Sequence, residues 1–350
     1  MSASRLIAAN ELHVRAERES GAGVARWVLI YVILALLLAA TSLLVGTSSL
    51  RTSLEWLRSP AALSDAVLWD IRLPRALGAW LAGALLGLGG AVAQNLFRNP
   101  LAEPYLLGSA SGAALGVTVC LMAADVSMAG LAWMGELGVT GAAFVGAAAG
   151  ITLTLTLCRG VLQTASLLLG GVVVAFLLSA VTSLLLLSSP DTWRAMQSFL
   201  LGTTGLLGWR SAGLLAFVFV GCLVPAVLLS RGLDALTLGE DTARSLGLPL
   251  GGLRVGLLGL LSLATAASVS QAGIVGFVGL VAPHLVRESV HVNSRQLIIA
   301  APLCGGVLLQ AADLASRWII RPSELPVGIV TACLGGSYLV VLLWRRAQRE

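Results

Sequence analysis

VGLLGLLSLATAASVSQAGIVGFVGLVAPHLV, residues 255–286, contains no charged side chain. As one helix it would run about 48 Å at 1.5 Å per residue. A bilayer's hydrocarbon core is only about 30 Å thick. The small and polar cluster Ser268–Gly273 (SVSQAG) interrupts the stretch, and Pro283-His284 closes its far end. It therefore reads as two shorter helices. Other charge-free runs lie at Trp27–Gly46, Ala76–Phe97, Pro104–Ala124, Leu137–Cys158, Gly160–Pro190, Ser211–Ser230, Gln296–Ala312 and Leu325–Trp344. Counting the split run twice predicts an all-α protein with ten transmembrane helices. The Gly160–Pro190 run is also long. Its start (Gly160, Gln163, Thr164) reads as a loop, Leu167–Leu187 as the span, and Asp191–Leu201 as a short helix at the membrane surface.

Composition agrees. Of 350 residues, 57% are hydrophobic and 11% charged, with a mean hydropathy of +0.92. Soluble domains carry about 25% charged residues, so a soluble enzyme or nucleic-acid-binding protein is excluded. All 22 basic residues are arginine. Without lysine the chain cannot contain a P-loop, and it lacks an LSGGQ-type signature. Any ATP-driven work must use an ATPase on another chain. Cys120, Cys158, Cys222, Cys304 and Cys333 fall in or beside apolar runs without a CxxC pair. They read as small buried hydrophobes, with no disulfide and no metal site. No paired carboxylates, Ser-His-Asp set or HExxH motif offers reaction chemistry.

Ten spans place both termini on one side. If that side is the cytoplasm, 14 arginines lie inside and 8 outside, as the positive-inside rule requires. Residues 1–26, which hold four Arg and three Glu, become a cytoplasmic tail rather than a cleaved signal. Residues 27–345 form one transmembrane domain and 346–350 a second cytoplasmic tail. Arg51, Arg58, Arg72 and Arg75 crowd the first outer segment and run against the rule. Small residues recur at four-residue spacing at Gly83/Gly87, Gly252/Gly256 and Ala142/Gly146/Gly150. Such faces suit close helix packing inside the bundle.

The longest inner segment, residues 231–254 (RGLDALTLGEDTARSLGLPLGGLR), is too polar to span. Thr237 and Glu240 have capping-box spacing, and Gly247 with Pro249 has the form of a helix stop. A short helix over Leu238–Leu246 is expected along the cytoplasmic face, with Asp234 capping a turn before it. It is either an ordinary amphipathic surface helix or a docking helix for a cytoplasmic partner.

This segment resembles the coupling-helix motif of the FecCD-type permeases, LxLGExxAxxLGLP. These are the membrane subunits of type II ABC importers for iron-siderophores, haem and cobalamin. Three further blocks resemble the same family in the same order: Arg72–Gly108 (RLPR, then Gln94 and NPLAEPYLLG), Gly273–Arg287 (GIVGFVGLVAPHLVR) and Ala311–Gly335 (AD, Arg317, then ELPVG). The first helix and the tail match only in character.

The resemblance implies a type II ABC importer permease fold and a homodimer with its pore on the two-fold axis. It implies two cytoplasmic ATPase subunits and a periplasmic substrate-binding protein, in the inner membrane of a bacterium. This chain would bind no cofactor; ATP and Mg would sit on the ATPase. Leu238, Gly239, Glu240, Ala243, Leu246 and Gly247 would form the ATPase contact. Arg72, Arg75 and Arg317 would receive glutamates of the binding protein, which suits bidentate Arg–carboxylate pairing; snorkelling to headgroups is the alternative. Arg51, Arg58 and Arg321 have no counterpart. Gly170, Gly171, Ser179 and Ser183 of the long fifth helix would line an uncharged path.

The remaining motif residues have structural readings. Asn99-Pro100 and Pro283-His284 end helices at the inner face. His284 has no second ligand at metal spacing. Asp313 lies four residues before Arg317, at ion-pair distance on a helix, and Gln94, Asn95, Gln271 and Gln310 are interhelix amides. Trp193 and Arg194 near the outer mouth either meet a flat anionic macrocycle or anchor to the interface, so haem leads among the substrates, ahead of ferric siderophores and cobalamin. An ion-coupled secondary transporter would need acids or His near mid-bilayer, and the runs hold almost none. A membrane scaffold is the third class.

Overall fold

The structure, a computed structural model, describes residues 3–44, 67–126, 136–158 and 164–348. Arg51 and Arg58 lie outside them. The described residues form twelve helices: α1 (Ala3–Leu44), α2 (Leu73–Leu96), α3 (Ser109–Val126), α4 (Glu136–Leu157), α5 (Thr164–Ser188), α6 (Pro190–Leu201), α7 (Trp209–Thr237), α8 (Glu240–Ser245), α9 (Leu250–Ala272), α10 (Val278–Ser289), α11 (Ser294–Trp318) and α12 (Val327–Ala347). Eight of these are long and apolar enough to cross a membrane. One more, Ser109–Ala123 within α3, is apolar but shorter, and α10 has only 12 residues.

Several helix ends differ from the sequence reading. Helix α1 is continuous from Ala3, with its membrane-crossing stretch at Gly23–Leu44, and α12 runs on to Ala347. Helix α7 extends through Arg231 to Thr237, and Arg254 lies inside α9. The polar segment thus shrinks to residues 238–249, because intrahelical hydrogen bonds satisfy the backbone whether or not a charge intervenes.

Helix α2 is the axis of the fold, buried from Ala76 to Leu96 on almost every face. It lies antiparallel to α11 at very close range. A Cβ on Gly83 would fall 2.7 Å from the Leu309 side chain and collide with the Gly305 carbonyl; one on Gly87 would meet the Ala301 carbonyl. Helices α3 and α4 repeat the arrangement through Gly112, Gly116 and Gly146. Two of the three small-residue faces are therefore internal seams. The third is not: Gly252 has nothing within 4 Å of a built Cβ.

The split of residues 255–286 is present but displaced. Helix α9 continues through Ser268 to Ala272, and the break is residues 273–277, bounded by positive φ at Gly273 and Phe277. Pro283 sits inside α10, which ends only at Ser289. Broken backbone inside a bundle needs polar partners. The connection 97–108 supplies two: the Glu103 carboxylate accepts from Phe277 N–H at 2.9 Å, and the Tyr105 hydroxyl donates to the Val275 carbonyl at 3.0 Å. The end of α6 adds a third, with Ile274 N–H donating to the Phe199 carbonyl at 3.0 Å.

The α2–α11 seam is directly testable. Overpacking costs about 1–3 kcal/mol or more, so Gly87→Leu should lower the thermal midpoint of the detergent-purified protein. Gly259→Leu, where a built Cβ has no neighbour within 4 Å, should leave it near wild type. Fluorescence-detected size exclusion after heating measures both; equal midpoints would show that the seam tolerates separation.

Candidate functional sites at the two ends of the bundle

One end carries a buried arginine–carboxylate knot. A π-helical turn, Val67–Arg72, leads into α2, whose Pro74 occupies the first turn, where a missing N–H costs nothing. Arg75, on that turn, donates to Asp313 Oδ1 through Nε (3.1 Å) and Nη2 (2.9 Å). It also grips Glu324 with both terminal nitrogens, at 3.0 and 2.8 Å. Arg317 donates to Asp313 Oδ2 at 2.6 Å, and the Thr204 hydroxyl to Asp313 Oδ1 at 2.5 Å. The Asp313 side chain is 0% exposed; two guanidinium groups and a hydroxyl take the place of water around it.

Two of the three docking candidates face inward. Arg72 donates to the Leu43 carbonyl at 2.6 Å. Arg317 donates to Ser42 Oγ at 2.5 Å and to the Ser42 carbonyl at 3.4 Å. Both are buried and cap the last turn of α1, whose free carbonyls carry partial negative charge. The structure thus brings Arg72, Arg75 and Arg317 to one end of the bundle and gives each an intrachain partner. The Asp313–Arg317 pair at i,i+4 is formed as its spacing suggests. Glu324 was missed, although the carboxylate of the ELPVG stretch, shortly after Arg317 and Arg321, was a signal for it.

The opposite end carries the 238–249 segment. Helix α8 starts at Glu240 and ends at Ser245, one turn shorter than Leu238–Leu246. The capping box does not form: Thr237 belongs to α7 and its hydroxyl donates to the Asp234 carbonyl at 2.7 Å. The Glu240 side chain lies outside the described residues. Asp234 caps no turn of its own; its carboxylate accepts from Ser294 N–H at 2.9 Å, at the start of α11. Gly247 adopts φ +75°, with its N–H to the Arg244 carbonyl and that of Leu248 to the Ala243 carbonyl. That is the Schellman pattern. Gly239, at φ +127°, makes the entry. Ala243 is buried, while Leu238 and Leu246 present large apolar side chains to solvent on either side of α8.

Beneath this segment Arg287 bridges α10 to α2 through the Gln94 and Asn95 side-chain oxygens. Gln94 also donates to the Leu280 carbonyl at 3.0 Å, so these amides do join helices. Asn99 accepts from Leu101 N–H and turns the chain after α2. His284 lies 3.7 Å from Glu288, which takes the Tyr338 hydroxyl at 2.9 Å.

The four path residues do not share a face of α5. Gly171 is buried against the Leu106 carbonyl, and Gly170 lies against Cys158 Sγ. Ser179 and Ser183 are exposed beside Val172, Phe176 and Leu187; Ser179 hydrogen-bonds Ser111 at 3.0 Å. Gly171 lets α5 approach the 97–108 connection and Gly170 lets it approach Cys158 after α4, whereas the serines lie on an open face. At the start of α6, exposed Arg194 is paired with Asp191 at 2.7 Å. Four of the five cysteines are buried and Cys333 is exposed.

A bundle with this break, this short helix and these termini matches known proteins along nearly its whole length. The profile of the FecCD transport family matches residues 16–345. The vitamin B12 import system permease protein BtuC of Salmonella paratyphi A is 35% identical over 324 residues, covering 92% of this chain and 96% of that protein. BtuC of Salmonella typhimurium matches to the same extent. A solved metal-chelate type ABC transporter in an inward-facing conformation superposes with a TM-score of 0.80 at 27% identity, over 92% of this chain and 99% of that one. The chain belongs to the FecCD transport family. It is a multi-pass permease of the type II ABC importer fold.

The knot should dominate stability at its end. Asp313→Asn takes the carboxylate from buried Arg317 and leaves Arg75 with Glu324 alone, a loss of about 3–5 kcal/mol for a broken buried pair. Adding Arg317→Met should recover part of it. Thermal unfolding of the three proteins in detergent measures this; a single mutant as stable as wild type would show that the pair contributes nothing.

Proposed function

We propose that two copies of this chain form the membrane path of an ATP-driven importer for a bulky metal chelate of the corrinoid class. The observation that carries the substrate is the 35% identity to vitamin B12 import permeases over 92% of the chain. Haem, the first expectation, loses its support: no relative described above points to it, and Arg194 is already paired with Asp191 at an exposed site. The metal-chelate transporter that shares the fold keeps ferric chelates as the second reading.

In this reading the 238–249 end faces the cytoplasm and receives two separate ATPase subunits. ATP and Mg stay on those subunits and this chain binds no cofactor. The apolar Leu238 and Leu246 flank α8 and, with Glu240, serve as contact points, and Gly239, Ala243 and Gly247 hold the helix at its angle. Short links join α8 to α7 and α9, and Asp234 ties the end of α7 to α11. A push on α8 therefore reaches three long helices. Both termini lie on the cytoplasmic side of a bacterial inner membrane, and ten spans cross it, α3 and α10 being the short ones. Ser179 and Ser183 face the path on the two-fold axis, where an uncharged wall avoids trapping cargo. Arg75, with Arg72 and Arg317 behind it, lies at the outer end where the substrate-binding protein docks. Buried Asp313 and half-buried Glu103 are held by Arg75, Arg317, Thr204 and Phe277. They are thus bound as structural groups rather than poised as ion relays.

Proteoliposomes containing the permease, its ATPase and its binding protein should take up labelled cobalamin only with ATP. Uptake of haem or a ferric siderophore instead would reject the corrinoid reading, and uptake independent of ATP would reject the importer. Glu240→Arg should cut ATPase co-purification at least tenfold while the membrane dimer still forms. Unchanged co-purification would remove α8 from the interface.

A further inference from the structure

Arg75 has five N–H groups. Two point at Asp313 and two at Glu324, leaving one on Nη1. An incoming carboxylate needs two parallel N–H groups for a bidentate pair, so it must displace one of the resident acids. The Asp313 side chain is 0% exposed and also holds Arg317 and Thr204, so it cannot leave. The Glu324 side chain is 32% exposed and bonds Arg75 from the connection between α11 and α12. On the same side, exposed Gly205 sets no side chain of its own over the fork: a built Cβ there would lie 3.9 Å from Arg75 Nη1, 3.8 Å from Glu324 Oε2 and 3.4 Å from the Thr203 hydroxyl oxygen.

We propose that Glu324 is an internal stand-in for the acidic side chain of the docking partner, occupying the Arg75 fork in the undocked permease and yielding it when a partner carboxylate arrives. This rests on the docking role given to Arg75 above. Exchange of one carboxylate for another at the same fork costs little net pairing energy, so docking is reversible and selects acidic partners. The exchange also has a direction. With Glu324 in place, Arg72, Arg75, Arg317, Asp313 and Glu324 carry one net positive charge; with Glu324 displaced they carry two, and the site draws the acidic partner more strongly. Release of Glu324 frees the connection just before α12. Four residues on, Gly328 packs against the carbonyls of Leu201 and Ile274, the end of α6 and the 273–277 break. Docking is thereby transmitted to the short helix at the mouth.

The test measures the affinity of the importer's own purified substrate-binding protein for the nanodisc-reconstituted transporter, as wild type, Glu324→Gln and Arg75→Glu. Glu324→Gln keeps shape and folding but gives up the charge, and should tighten docking by about threefold or more, since rim and interface charges act at this scale. Arg75→Glu should weaken it more than tenfold. If Arg75→Glu weakens docking and Glu324→Gln leaves it unchanged or weaker, Arg75 is the docking residue and the stand-in is wrong. If Arg75→Glu also changes nothing, the docking role itself fails and the stand-in fails with it. A partner-free measurement is independent of both: phenylglyoxal should modify Arg75 several-fold faster in Glu324→Gln than in wild type, read by peptide mass spectrometry. Equal rates would show that Glu324 does not mask the fork.

Discussion

Hydrocarbon offers no hydrogen bonds, so every polar backbone group inside this bundle must find a protein partner. Much of the unusual detail follows from that constraint. Where the chain breaks at residues 273–277, Glu103, Tyr105 and the Phe199 carbonyl meet the freed groups. Where α1 ends, Arg72 and Arg317 reach its last carbonyls. The Arg317 guanidinium buried there requires counter-charge, and Asp313 supplies it. Asp313 in turn fixes Arg75 and so fixes the polar surface at that end.

Close packing follows a different rule. Leucine against leucine gains little over leucine against lipid, so helices in a membrane hold together by approach distance rather than by escape from solvent. Glycine carbonyls stacked between α2 and α11, and between α3 and α4, set that distance. The result is a rigid inner set of helices around α2, while α5 leaves a broad apolar face uncovered, with Leu169, Val173 and Phe176 exposed.

The sequence conveyed this architecture unevenly. Charge-free runs located the spans, since cost in lipid is a property of each side chain. They misplaced the ends of α7 and α12, where arginine continues a helix as readily as leucine. The break was put at Ser268–Gly273 because small polar residues resemble an interruption, yet the helix runs through to Ala272: the Ser270 hydroxyl bonds back to the Ala267 carbonyl and the Ser268 hydroxyl crosses to the Ala82 carbonyl of α2. The capping box at Thr237 failed because α7 had already claimed that residue. Gly247 was legible because a positive φ is a local demand. Glu103 and Glu324 were not: their importance comes from partners 174 and 249 residues away. Spacing alone put Gly170 and Gly171 with Ser179 and Ser183, but the helical repeat turns the glycines to the interior.

That long separation in sequence has a consequence for biogenesis. Glu103 and Tyr105 are synthesised about 170 residues before the backbone groups they bind. A chain inserted from its N-terminus therefore has these partners in the membrane when residues 273–277 emerge. The exposed peptide groups of the break meet a waiting template rather than bare lipid. The order of translation thus works in favour of a segment that would be costly to insert by itself.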